Sequence, residues 1–399
     1  MNVKDYIKEH WDKTVRLTEK DEGTLIGLPC PYTVPSVKDT FQEMYYWDTY
    51  FTNVGLLRCG KEKLAKSNAD NFLYLVNRFG FIPNGSRTYY LKRSQPPYLA
   101  FAVSDVYDKF RDDEWLKNAY FAVKKEYDFW MTKRISPVGL NVYGDNGETA
   151  EDCVKNAEVV IARTGLKSDD SPERIGRNHF AEFESGWDCT PRFSERCAEH
   201  LPVDLNCNLY FYECFLDKTQ KKLGIADGED WTLRAKRRKS LVQKYLFDKE
   251  CGVYKDYDFI RGVHSAVISC ASFQPFFTGL ADESEKPALI KTYNELSRKF
   301  GMVTTAKEGG NYQWAYPNGW APLQYIAYAA LKNYGLKEEA RSVAERYTAL
   351  VEKVFAETGS LWEKYNVIEG NVNVVNEYGL PEMMGWTAGV YEFFSSEIK

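Results

Sequence analysis

Histidine is scarce in this 399-residue chain. The four present, His10, His179, His200 and His264, stand at no metal-ligand spacing, so a histidine-based metal enzyme is not expected and no metal is assigned. The nine cysteines are scattered, odd in number and form no Cys-x-x-Cys pair, which argues against a disulfide framework and a thiolate zinc site. Reduced, mostly buried thiols are expected. Gly-x-Gly-x-x-Gly and Walker patterns are absent, so no nucleotide cofactor is expected, nor any other. No apolar run is long enough to span a bilayer, and Met1-Asn-Val-Lys-Asp-Tyr-Ile-Lys-Glu-His10 lacks the apolar core of a signal peptide. A soluble, cytoplasmic protein without a membrane partner is the expectation. A basic surplus is missing too: the net charge is −5, which leaves no field to attract phosphates and argues against nucleic acid. The basic stretch Arg234-Ala-Lys-Arg-Arg-Lys239 reads as a solvated helix face.

What the chain has in excess is aromatic rings, with 10 Trp, 28 Tyr and 23 Phe. Many stand beside carboxylates and amides, in Phe41-Gln-Glu-Met-Tyr-Tyr-Trp47-Asp48, Ile82-Pro-Asn84-Gly, Arg93-Ser-Gln95-Pro-Pro, Glu184-Ser-Gly186-Trp187-Asp188, Gln313-Trp314-Ala-Tyr-Pro-Asn-Gly-Trp320 and Trp362-Glu363-Lys-Tyr-Asn. A sugar ring has apolar C–H faces to stack and a rim of hydroxyls to pair, so this mixture suits a carbohydrate-binding cleft.

Helical periodicity dominates between those blocks. Leu336, Ala340, Val343, Ala344, Tyr347, Leu350, Val351 and Val354 recur at steps of three and four, as do Trp115, Ala119, Ala122, Val123 and Trp130. Other stretches, such as Trp320–Leu331, Ala266–Phe277 and Pro96–Val103, carry no charge on any side and predict helices buried all round. Charge-poor segments begin near 49, 96, 203, 266, 320 and 384. They alternate with amphipathic segments near 3–20, 61–79, 113–133, 228–246, 285–299 and 337–355. Alternation of this kind predicts an all-α fold of two concentric rings, an α/α barrel or six-hairpin toroid, formed by residues 1–399 as a single domain. A helical solenoid would need a repeat period, and none is visible. Residues 136–183, rich in glycine and weak in periodicity, read as a long loop excursion near the site.

The aromatic-acid blocks fall just ahead of the charge-poor segments, so parallel inner helices would gather them at one end of the barrel. Glycoside hydrolysis needs two carboxyl groups flanking the scissile bond. The candidates are Glu43, Asp48, Glu184, Asp188, Glu363, Glu377 and Glu382; Asp188 lies beside Trp187, whose apolar wall favours a protonated acid, and Glu363 lies between Trp362 and Tyr365. Each acid alone could equally cap a helix or pair with an arginine.

The run Phe41–Phe51 resembles the first signature of the trehalase family of glycoside hydrolases, and Gln313–Pro322 is similar to its second. Ile82–Pro97 and Glu184–Asp188 match further blocks in the family's order. The resemblance implies an (α/α)6 barrel, inversion at the anomeric carbon, Asp188 as general acid and Glu363 as general base, with their carboxyls roughly 6.5 to 9.5 Å apart. It also implies that Phe41, Trp47, Asp48, Asn84, Arg93, Gln95, Gly186, Trp314 and Glu377 hold a small oligosaccharide or glycoside, Glu377 being the rival for the base. The expected activity is cleavage of trehalose or a related small α-glucoside. The alternatives are another small α-glycoside, such as glucosyl- or mannosyl-glycerate, and a non-catalytic sugar-binding protein on the same scaffold. Departures from the family pattern bear on specificity: Thr40 stands where an Arg is usual, Ala315 where an Asp is usual, and no Arg-Pro-Glu-Ser-like block precedes Asp188, Arg163 and Arg174 being merely near. Each lost charge-assisted hydrogen bond removes about 1.5 to 3 kcal/mol.

Overall fold

Charge-poor and amphipathic segments become alternating helices in the computed structural model, which describes residues 1–306, 310–376, 379–382 and 384–398. In chain order these are α1 (Val3–His10), α2 (Tyr46–Leu56), α3 (Glu62–Phe79), α4 (Leu99–Phe110), α5 (Asp113–Lys133), α6 (Ala150–Thr164), α7 (Pro172–Glu184), α8 (Val203–Leu223) and α9 (Trp231–Tyr245). Then follow α10 (Gln274–Phe277), α11 (Lys286–Leu296), α12 (Ala321–Asn333), α13 (Lys337–Thr358) and α14 (Gly385–Glu397). Helices α2, α4, α8, α10, α12 and α14 each pack against the next, and α14 returns to α2, so the inner ring is closed. Helices α3, α5, α9, α11 and α13 lie outside them, and α1 reaches α13 through Tyr6 and Phe355. The toroid predicted from the alternation is the fold.

Closure depends on the absence of side chains. Every residue of α2 is buried, and a Cβ on its Gly55 would lie 2.5 Å from the Gly389 Cα of α14. Two helices meet there backbone to backbone, which only glycine permits. Polar groups tie the inner ring together as well: the Tyr46 hydroxyl accepts from the N–H groups of Tyr98 (2.9 Å) and Leu99 (2.8 Å), satisfying the start of α4 from α2.

Three expectations need correction. Residues 136–183 are not loop throughout, because α6 and α7 lie within them. The capping box Thr149/Asp152 starts α6, and Ser171 with Pro172 starts α7; a Cβ on Gly176 would fall 1.8 Å from the Cys153 carbonyl oxygen, so the two helices cross in close contact. Val154, Val159 and Ile161 on α6 are exposed. The segment after 266 forms only a 3-10 turn (Cys270–Phe273) and the single turn α10, ending before Gly279 with φ of +71°. The basic run is not wholly solvated either: Arg238 is buried, 2.8 Å from Glu213 and 2.9 Å from Asn141 Oδ1.

Candidate active site

The approach loops to α2, α4, α8, α12 and α14 converge on one cavity, at the N-terminal ends of the inner helices. Phe41, Trp47, Asp48, Asn84, Arg93, Gln95, Gly186, Asp188, Trp314 and Glu363 all line it. Larger cavities lie elsewhere, about 310 Å³ beside Arg58 and Asp105 and about 590 Å³ beside Tyr6 and Glu382. Neither gathers tryptophan with paired acids, so chemistry rather than volume marks the site.

Its walls are tryptophan. Trp314 stacks face to face on Trp320 with centroids 3.7 Å apart, and Trp47 and Trp187 lean on Trp314 at 5.4 and 5.3 Å. Trp386 meets Trp47, Trp314 and Trp320 edge-on. Buried rings locked in this way present a fixed apolar surface to a sugar face at little entropic cost. Gly186 lets the acid loop reach that wall, since its φ is +70° and a Cβ would lie 2.9 Å from the Trp47 ring.

Backbone pairing brings distant blocks together. The strand Asn318–Trp320 runs antiparallel to Lys364–Asn366 with Trp320 opposite Lys364, which seats Glu363 beside the Gln313–Trp320 loop. Trp386 donates its indole N–H to the Glu363 carbonyl at 3.0 Å. The Glu363 carboxylate faces Lys364 Nζ at 2.7 Å, and that ammonium is itself buried, 3.3 Å from Gln313 Oε1 and 4.7 Å from the centre of the Trp320 ring. An ion pair so deeply buried is stiff, because breaking it leaves a bare charge.

The other acids sort by their partners. Asp48, in the first turn of α2, has its carboxyl pushed up to about 8, first by burial and then by the charge of Glu363. It is protonated at neutral pH and can donate to a sugar hydroxyl. Glu184 is claimed by the scaffold: Arg134 holds it bidentately at 2.7 and 2.8 Å, while the N–H groups of Ser94 and Gly144 donate to it. Glu43 accepts from the Tyr45 hydroxyl at 2.7 Å and pairs with Arg87 at 3.2 Å. Glu382 lines the separate cavity beside Tyr6. Glu377 lies outside the described residues.

Among the polar groups, Gln95 accepts the Trp47 N–H at 3.1 Å, and the Asn84 backbone links Tyr46 to Arg93. Arg93 sits over the rings of Tyr90 and Phe183 at 5.3 and 5.4 Å, and its buried Nε has no hydrogen-bond partner among the described residues. A guanidinium held by rings with a donor to spare suits an incoming hydroxyl. Phe41, in the left-handed region at φ of +55°, packs edge-on against Tyr45. Thr40 lines the cavity beside Tyr6 rather than the tryptophan cavity, and Arg174 pairs with Asp170 and Glu199. The side chain of Arg163 is outside the described residues. Sequence reasoning missed Tyr45, Tyr90, Gln313, Trp320, Lys364 and Trp386; all but Trp386 lie inside or beside the aromatic-acid blocks, and Trp386 opens a charge-poor segment.

A closed (α/α)6 barrel whose inner-helix N-termini surround a tryptophan-walled cavity with carboxyl groups defines a class, the glycoside hydrolases built on this toroid. The family model described as Trehalase matches residues 1–398. Periplasmic trehalase of Xanthomonas oryzae pv. oryzae is 35% identical over 97% of this chain and 72% of its own length. The periplasmic trehalase of Pseudomonas aeruginosa is 33% identical over 98% of this chain and 75% of its own. Among solved structures, neutral trehalase Nth1 from Saccharomyces cerevisiae superposes with a TM-score of 0.81 at 26% identity, covering 99% of this chain and 80% of that one. A GH63 mannosylglycerate hydrolase from Thermus thermophilus shares the fold, with a TM-score of 0.68 at 16% identity over 98% of this chain and 99% of its own. The chain belongs to the trehalase family of glycoside hydrolases.

Proposed function

We propose that the chain hydrolyses α,α-trehalose or a closely related small α-glucoside with inversion, Asp188 acting as general acid and Glu363 as general base. The observation that supports this reading is that both carboxyls line one tryptophan-walled cavity. In the reaction Glu363 takes a proton from water, the water oxygen bonds to the anomeric carbon, the glycosidic C–O bond breaks, and the Asp188 proton passes to the departing oxygen. Lys364 fixes the Glu363 carboxylate in place, the tryptophan wall stacks the ring, and Arg93, Gln95, Asn84 and the neutral Asp48 carboxyl bind hydroxyls. Asp188→Asn and Glu363→Gln should each cut kcat at least 100-fold, the lower range for losing a general acid or base, with circular dichroism and melting preserved. Full activity in either variant would refute its role.

One observation favours a second reading. Asp48 also lines the cavity and is protonated near neutrality, as a proton donor must be. Asp48→Asn keeps a neutral hydrogen-bond donor but no transferable proton, so a loss as large as that of Asp188→Asn would move the acid role to Asp48. Ala315, beside Trp314, leaves the second sugar open; relative rates on trehalose and a panel of small α-glycosides, glycerate-linked ones included, decide it.

A further inference from the structure

A second cluster of ionisable side chains stands beside the loop that carries Asp188, and none of its members lines the tryptophan cavity. Helix α7 presents His179 and Glu182 one turn apart, and Glu195 comes to them from the turn after Phe193, where Ser194 and Glu195 both take positive φ. His179 Nε2 is 2.7 Å from Glu195 Oε2, and His179 Nδ1 is 3.8 Å from Glu182 Oε1. One ligand atom from each lies within 4.8 Å of the other two. Neither ring nitrogen of the fully buried His179 is aligned for a hydrogen bond, nor is Glu195 Oε2, despite the short separation. The His179–Glu195 pair thus has ion-pair separation without hydrogen-bond alignment, and His179 Nδ1 has no donor or acceptor at bonding distance among the described residues.

Charge points the same way. Glu182 is fully buried and Glu195 largely so, so two acidic side chains share one small space with the imidazole. Both carboxylates are oriented from behind: the Thr190 N–H donates to Glu182 Oε1 at 3.1 Å, and the Tyr312 hydroxyl donates to Glu195 Oε1. Groups that orient a carboxylate ligand from behind recur around bound metals.

We propose that His179, Glu182 and Glu195 bind one divalent transition-metal cation of the zinc or manganese kind. One imidazole nitrogen with two carboxylate oxygens suits these borderline ions, whereas calcium and magnesium take oxygen ligands. Bonds of about 2.0 to 2.2 Å require only a small spreading of the 2.7 Å pair, which Glu195, with 15% of its side chain exposed, can accommodate. The ion would clamp α7 to the loop that runs on from Asp188, since Glu182 already grips Thr190.

Chelator-stripped protein is titrated with Co2+ and with Mn2+, reading bound metal by elemental analysis after gel filtration, the cobalt visible spectrum and the melting temperature. About one ion per chain is expected, with a cobalt spectrum lacking a thiolate charge-transfer band, which sets this site apart from adventitious binding to the nine cysteines. The ion should raise the melting temperature, and His179→Gln and Glu195→Gln should each weaken retention at least tenfold. No retention by the stripped wild type, a thiolate band, or unchanged retention in both variants would overturn the proposal and leave His179 as a structural bridge between two acidic side chains.

Discussion

Replacing Asp48 with Asn should make the protein more stable, and increasingly so as pH rises. The Asp48 carboxyl titrates at 3.8 when unperturbed and at about 8 in the fold, because the residue is 8% exposed and faces the charge of Glu363. Below the lower value both states hold the proton. Between the two values the unfolded chain has released it and the folded chain has not, so stability falls with rising pH across that window. Integrated from pH 5 to pH 8, the two values give a loss of roughly 3 to 4 kcal/mol that the Asn variant escapes. Unfolding entropy for 399 residues is roughly 0.8 kcal/mol/K, so the variant's melting temperature should gain about 4 °C on the wild type between those pH values. Thermal melts by circular dichroism at pH 5, 6.5 and 8 measure it. Parallel curves, or a gap that narrows toward pH 8, would show that Asp48 ionises in the fold and would remove its assignment as a neutral donor.

Other substitutions probe the packing around the site. Lys364→Met leaves Glu363 buried without its cation and should cost about 3 to 5 kcal/mol in denaturant unfolding, most of it restored when Glu363→Gln is added, because the pair is one unit. Additive losses would contradict that. Gly186→Ala meets both positive φ and the Trp47 ring; a loss of about 1 to 2 kcal/mol and a kcat at least tenfold lower are expected, and an unperturbed enzyme would refute the close approach. Gly389→Ala would place a Cβ 2.3 Å from the Phe51 carbonyl oxygen, so α2 and α14 must part; the expected fall in stability is about 1 to 3 kcal/mol, and a neutral result would argue against ring closure at that crossing.

The barrel was legible because burial writes itself into composition. A helix such as α2, buried along its whole length, has no place for charge, whereas α13 must show charge on one side, so the alternation along the chain is the alternation between rings. Helices α6 and α7 escaped that logic: they pack chiefly on each other through Gly176, and their apolar residues are partly exposed. Their caps were readable at Thr149 and Ser171 even so. At the site, aromatic neighbours marked seven acids without ranking them, and only the family resemblance singled out Asp188 and Glu363; Glu184, marked by the same signal, is used by the scaffold for Arg134. What separates them is a partner 50 residues away, which adjacency in sequence does not carry. Lys364 was hidden because a lysine reads as surface until a strand pairing buries it. The cluster of His179, Glu182 and Glu195 was hidden because its third member arrives from a turn.

Proton NMR of glucose released from α,α-trehalose, recorded before mutarotation, tests the central claim. Inversion at the cleaved carbon yields β-glucose while the departing half leaves as α-glucose, so equal amounts of the two anomers are predicted at the earliest times. Release of α-glucose alone would contradict the account, and no cleavage of trehalose would remove trehalose as its substrate.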